Sequence, residues 1–155
     1  MAPTWVGMFA FATNLLVVVY NRCFTAATAL GEEDPEVFGP FGQALILVWG
    51  MAYLAADAAP GNGGRLLWMV FAVEKVLFVA NFSRWHFDRP DAAVDAIDSL
   101  VLGFPASVFA PSTFYLVYGF ADAFWALVFA LRALTPAKAR PTISDVAVTK
   151  ATKKA

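Results

Sequence analysis

Four long stretches of mostly apolar residues constrain the fold of this chain more than any other feature. They run from Trp5 to Tyr20, from Phe41 to Ala59, between Arg65 and Arg84, and from Thr113 to Leu134. A helix needs about 20 mostly apolar residues to cross a bilayer, because each residue adds about 1.5 Å. The sequence therefore predicts an all-α integral membrane protein, a four-helix bundle formed by a transmembrane domain of residues 1–134.

The composition supports this prediction. Hydrophobic residues make up 60% of the 155 residues and charged residues 15%, whereas soluble domains have roughly 45–50% and about 25%. A soluble domain of this length could not bury so much apolar surface. In a membrane, lipid takes the place of the protein core as the apolar environment, so the lipid bilayer is the first predicted partner.

The distribution of basic residues predicts the orientation. With four spans, the N-terminus, the second connection and the tail share one side, which carries Arg65, Arg132 and five basic residues of the tail. The opposite side carries only Arg22, Arg84 and Arg89. Cytoplasmic loops are enriched in Lys and Arg, so both termini are expected in the cytoplasm. Residues 135–155 are expected to form a basic, disordered cytoplasmic tail.

An alternative interpretation makes the first apolar stretch a cleaved signal peptide, with cleavage near Ala27-Thr28-Ala29. A signal peptide has basic residues before its apolar run, whereas here none precedes the run and Arg22 follows it. The four-span interpretation is therefore preferred to one with three spans.

The connection between the third and fourth stretches predicts a short amphipathic helix. Pro90 suits a first helical turn, Asp88 is placed to cap it, and Gly103 can end it. The acids Asp91, Asp95 and Asp98 share one helical face, and Val94, Ile97 and Val101 share another. Such a helix is expected to lie in the membrane interface with its carboxylates towards water.

Three of the predicted spans carry polar residues at the same depth. Asn14 is nine residues from the start of the first stretch, Glu74 and Lys75 are nine and ten residues beyond Arg65, and Asp122 is nine residues past Thr113. Each lies roughly 14 Å from its boundary, near the middle of the hydrocarbon layer. A charge at this depth costs at least about 2.5–3.5 kcal/mol, so these groups are expected to face each other inside the bundle.

The charges in this layer do not balance. Lys75 can neutralise one carboxylate, and the second must then bind a proton, bind a cation or reach water. Adjacent helical residues point about 100° apart, so Asp122 is the preferred partner of Lys75 and Glu74 the preferred proton or cation carrier. Tyr53 and Tyr118 lie on aromatic stripes of their helices and can satisfy the carboxylates, and with Asn14 they complete the predicted ligand- or proton-binding site.

Other chemistries do not fit. The chain has one cysteine and one histidine, His86 near the end of the third stretch, so no metal ligands, bis-histidine haem, catalytic residues or cofactor are predicted. A nucleic-acid partner is not expected either, since that requires a basic stripe on a folded surface.

Three functions remain open on the sequence alone. The first is a transporter-like or ligand-binding component that binds a proton, a cation or a small amphiphile. The second is a structural or accessory subunit of a larger membrane complex. The third is a membrane-embedded lipid isomerase that uses Glu74 and Asp122 for acid–base work. A seam of small residues on the fourth stretch suits packing within the chain, a homo-oligomer or a host complex equally well: Gly119, Ala123, Ala126 and Ala130.

Overall fold

A computed structural model describes residues 5–24, 28–58, 61–103 and 110–135. Every regular element within these ranges is an α-helix, which confirms the all-α class. In chain order the helices are α1 (Trp5–Tyr20), α2 (Ala29–Glu33), α3 (Pro35–Phe38), α4 (Pro40–Ala58), α5 (Gly61–Asp88), α6 (Pro90–Gly103) and α7 (Pro111–Leu134). Residues 136–155 of the predicted tail lie outside the described residues.

The segment between α1 and α4 contains two short helices where the sequence suggested only a connection. Thr28 caps α2, since its side chain accepts a hydrogen bond from the N–H of Gly31 at 3.1 Å. Asp34 caps α3 in the same way, accepting from the N–H of Val37 at 3.1 Å. These side chains satisfy N–H groups that the first turn of a helix leaves without partners, so even four or five residues can form a turn.

The amphipathic helix is present, but its predicted cap was wrong. Asp88 does not cap α6: it is the last residue of α5, and Arg89 alone separates the two helices. The face of α6 that packs on the protein is formed by Ala93 and Ala96, which are buried, because small side chains allow α6 to lie close to α7. The predicted apolar face is exposed, and it consists of Val94, Ile97 and Val101.

The long helices pack mainly as two pairs, α1 with α4 and α5 with α7. Each pair contains a glycine at a close approach. A Cβ added to Gly7 would lie 2.3 Å from the backbone oxygen of Tyr53, and one added to Gly119 would lie 2.5 Å from the ring of Phe82. Gly119, from the predicted seam, therefore serves packing within the chain.

Two helices are long and apolar enough to cross a membrane, namely Gly64–Asp88 within α5 and Pro111–Leu134, which is α7. The helix α1 is apolar but shorter. By this criterion the third and fourth predicted spans are candidate membrane helices, and the four-span bundle stays a prediction.

A buried ionic cluster between three helices

The helices α5 and α7 bring three ionisable side chains together in the protein interior. Lys75 and Asp122 are 1% and 2% exposed and Glu74 is 7% exposed, so the cluster is shielded from solvent by protein. The ammonium Nζ of Lys75 lies 2.6 Å from Oδ1 of Asp122 and 3.6 Å from Oε1 of Glu74. The ion pair predicted between Lys75 and Asp122 is present, and it is the shorter of the two contacts.

The position of Glu74 adds to the sequence interpretation. The helical angle between neighbours favoured Asp122 as the partner of Lys75, but the ammonium is also within ion-pair distance of Glu74. The flexible four-carbon stem of a lysine allows this, because its charged end is not fixed to the direction of its Cβ. Lys75 therefore lies between two carboxylates rather than beside one.

Tyr53 links this cluster to the other helix pair. Its side chain is fully buried, and its hydroxyl donates a 2.8 Å hydrogen bond to Oε2 of Glu74. The Tyr53 ring packs edge-on against Phe71 of α5, with the ring centroids 4.9 Å apart. Tyr53 thus contacts one carboxylate oxygen of Glu74 while Lys75 contacts the other, and it joins α4 to α5.

Aromatic rings surround the ammonium. The Lys75 Nζ lies 5.7 Å from the ring centroid of Tyr53, 5.3 Å from that of Phe78 and 5.8 Å from that of Tyr118. At these distances ring quadrupoles attract a cation, most strongly where water is excluded. The rings therefore help to hold the Lys75 ammonium in place.

Asn14 and Tyr118 each carry a buried polar atom without a hydrogen-bond partner among the described residues: the Asn14 Oδ1 and the Tyr118 hydroxyl. The amide of Asn14 donates to the backbone oxygen of Ile46 at 2.7 Å, and its side chain neighbours Tyr53. Tyr118 neighbours Asp122. The predicted site residues Asn14 and Tyr118 therefore both border the cluster.

The cluster combines two carboxylates with one ammonium. If all three are ionised, the group carries one net negative charge in the interior of the protein. Among the residues that the structure describes, no three His, Cys, Asp or Glu side chains are arranged to hold a metal ion. A surplus charge in the interior is costly, so a proton or a cation beside the carboxylates would balance it.

The sequence interpretation missed the partners of two polar residues at the ends of the bundle. At one end, Asp34 accepts hydrogen bonds from Asn81 at 2.6 Å and from the Tyr115 hydroxyl at 2.8 Å. At the other, Asp57 accepts from Arg132 at 3.2 Å and from the backbone N–H of Gly7 at 2.6 Å. In the sequence, the only sign of these contacts is that Asp34 and Asp57 lie near helix ends. Their partners could not be predicted, because they are up to 81 residues away along the chain.

In comparisons with protein-family models, curated proteins and solved structures, the chain matches none of them. Function therefore has to be argued from the cluster itself.

Proposed function

We propose that this is a small polytopic membrane protein in which Glu74 binds and releases a proton, acting as a transporter-like or proton-binding component. One observation carries the proposal: a single ammonium lies between two buried carboxylates, at 2.6 Å and 3.6 Å. Asp122 has the shorter ion pair with Lys75, so Glu74 is the carboxylate whose charge has the weaker compensation. A proton on Glu74 would make the cluster neutral without requiring further space.

The surface of the long helices supports the membrane part of the proposal. Large apolar side chains point outward along all four helices, including Trp5, Phe9, Leu16, Phe41, Val48, Met51, Leu66, Met69, Leu77, Phe120, Phe124 and Leu131. Monomeric soluble proteins rarely expose apolar patches of this extent. Lipid contact explains such a surface on α1 and α4 as well as on α5 and α7.

Orientation can be tested with the native cysteine. We propose cytoplasmic termini, which puts the exposed Cys23 on the outside. A membrane-impermeant maleimide should label Cys23 in intact cells. A variant with Cys23→Ala and Thr149→Cys should be labelled only after the cells are opened. Labelling of position 149 in intact cells would contradict the proposed topology.

Proton movement is the direct test of function. Wild-type protein in liposomes should admit protons under an imposed potential, measured with a trapped pH indicator. Glu74→Gln should abolish this flux across pH 5 to 9, because an amide side chain does not ionise in this range and so cannot carry a proton as a carboxyl does. Its folding should be retained, since the side-chain shape and an oxygen for Tyr53 are kept. Glu36→Gln, which removes an exposed carboxylate, should match the wild type. Equal flux in Glu74→Gln and wild type would contradict the proposal.

An accessory-subunit role is the second candidate, and a specific surface favours it. Between α5 and α7 lies an apolar groove of about 500 Å³, bordered by residues that include Met69, Val73, Ala126 and Ala130. If the charges serve only helix pairing, this groove would be covered by another membrane subunit. Copurification of a stable partner together with unchanged flux in Glu74→Gln would favour this role. A lipid isomerase is less well supported, because neither Glu74 nor Asp122 borders this groove.

A further inference from the structure

The apolar groove between α5 and α7 lies at the end of this helix pair where α5 begins and α7 ends. Its volume is about 500 Å³, and the described residues that line it are all Ala, Val, Leu or Met. Ligand sites measure roughly 300–1,000 Å³, so the groove is large enough for one chain of a lipid. Met69, Val73 and Leu77 on its border are exposed, so the described part of the chain does not cover it.

The length of the groove favours a lipid chain over a helix of another protein. The groove extends from Met69 to Leu77 on α5 and from Ala126 to Leu134 on α7, which is about 12 Å along either helix. One leaflet supplies roughly 15 Å of the hydrocarbon layer, whereas a transmembrane helix of a partner would run through both leaflets. The groove therefore matches the depth of an acyl chain in the leaflet nearest the start of α5.

Arg65 lies at the end of the groove that faces the membrane surface. Its Nε donates a 3.0 Å hydrogen bond to the backbone oxygen of Ala133, which lines the groove together with Leu134. This bond uses one of the five N–H donors of the guanidinium. Arg65 makes no ion pair with a carboxylate in the described ranges, whereas the nearby Arg132 is paired with Asp57. A guanidinium held in this way has donors left for a phosphate, which it can bind through two parallel hydrogen bonds.

The sequence that follows α7 adds positive charge at the same end of the groove. Residues 136–155 carry five basic side chains and one acidic one: Lys138, Arg140, Lys150, Lys153, Lys154 and Asp145. A basic cluster directly after a transmembrane helix on the cytoplasmic side attracts anionic lipids. The charge at this end therefore complements a negatively charged headgroup.

We propose that the groove binds one anionic phospholipid, with an acyl chain between α5 and α7 and its phosphate on Arg65. The assignment rests on the membrane placement and cytoplasmic termini of the proposed function. It is independent of proton exchange by Glu74, which does not border the groove. Phosphatidylcholine also has a phosphate, but its choline cation would lie among the positive charges of Arg65 and the residues after α7. An anionic lipid avoids this repulsion.

Native mass spectrometry of the purified full-length protein in detergent counts the lipids that stay bound. Phosphatidylglycerol and phosphatidylcholine with identical acyl chains are offered separately at equal concentrations. The wild type should retain one phosphatidylglycerol, and should bind it severalfold more tightly than phosphatidylcholine. Equal retention of the two lipids would overturn the proposal. A lipid-free dimer or a complex with another protein would also overturn it, because a protein would then cover the groove.

Variants of the basic residue test the headgroup contact. Arg65→Gln should weaken phosphatidylglycerol binding about fivefold, the effect of one basic residue near an anionic lipid surface. Arg65→Lys keeps the charge and should retain most of the affinity. Arg84→Gln makes the same charge change on an exposed residue at the opposite end of α5 and should bind like the wild type. An unchanged preference for phosphatidylglycerol in Arg65→Gln would refute the assignment of the phosphate.

A second pair of variants tests the acyl-chain contact without changing any charge. Ala130→Phe places a ring in the groove and should reduce the retention of phosphatidylglycerol. Ala123→Phe is the matched control, because Ala123 is exposed on the same helix and does not line the groove. Retention in Ala130→Phe equal to that in Ala123→Phe would overturn the proposed position of the chain.

The same preparations separate failure of this proposal from failure of the proposed function. Proton flux that depends on Glu74, together with equal binding of both lipids, would contradict the lipid site alone. Recovery of the protein from cells in soluble form without detergent would contradict both, because neither the groove nor Arg65 would then meet a lipid.

Discussion

In the described part of the chain, ion pairs join the long helices in two regions, which differ in burial and in charge balance. At one end of the bundle, Asp57 pairs with Arg132 at 3.2 Å, with side-chain exposures of 13% and 33%. In the interior, Lys75 pairs with Asp122 at 2.6 Å with both side chains almost fully buried, and Glu74 adds a further carboxylate. The end pair is balanced and reaches the surface, whereas the interior cluster carries one surplus acid.

The comparison shows which polar contact requires more than a structural explanation. An ion pair near the surface can exchange its partner for water, so pairing Asp57 with Arg132 needs no other role. Buried charges cannot do this, and replacing them by apolar residues is often neutral or stabilising. A cluster that keeps three ionisable groups, one of them in excess, is therefore the feature on which the proposed proton exchange rests.

The largest expected effect comes from removing the buried cation. Lys75→Met should lower the free energy of unfolding by about 3–5 kcal/mol, because it leaves Glu74 and Asp122 buried without a counter-charge. The measurement is unfolding of purified protein in mixed micelles. The double variant Lys75→Met with Asp122→Leu should recover much of the loss, since one of the two stranded carboxylates is removed with its cation.

A different pattern would weaken the distinction between the two regions. Equal collapse of the single and double variants would show that the whole polar layer, including Tyr53 and Glu74, is one satisfied structural network. Recovery of stability in the double variant would show that the loss in Lys75→Met comes from a carboxylate left without its cation. The short distances from Lys75 to both carboxylates predict this result.

Much of this arrangement followed from the sequence, for physical reasons that can be stated. The contact between Lys75 and Asp122 could be predicted by counting residues, because a helix rises uniformly and a charge within an apolar stretch must find a partner. The partner of Asp34 could not be predicted in this way, since no periodic pattern links an aspartate in a connecting segment to Tyr115 far along the chain. The packing face of α6 was also missed, because alanine contributes little to an apolar pattern even where it allows the closest contact.

A smaller effect is expected at the end pair. Arg132→Met should lower the free energy of unfolding by about 1 kcal/mol, since the pair reaches the surface and water can take the place of the lost partner. Part of the loss comes from the contact between the Arg132 guanidinium and the Trp68 ring, 5.3 Å from its centroid. The same unfolding measurement at low and high salt should show a salt-dependent difference for Arg132→Met. A loss as large as that of Lys75→Met would erase the distinction drawn here.

The proposed function depends on proton exchange by one buried carboxyl, that of Glu74. Infrared difference spectra of purified protein, recorded between pH 5 and pH 9, report the C=O band of a protonated carboxyl directly. The wild type should show a carboxyl band that changes across this range, and the band should be missing in Glu74→Gln but present in Glu36→Gln. A wild-type spectrum without such a band, or an identical band in Glu74→Gln, would contradict the account.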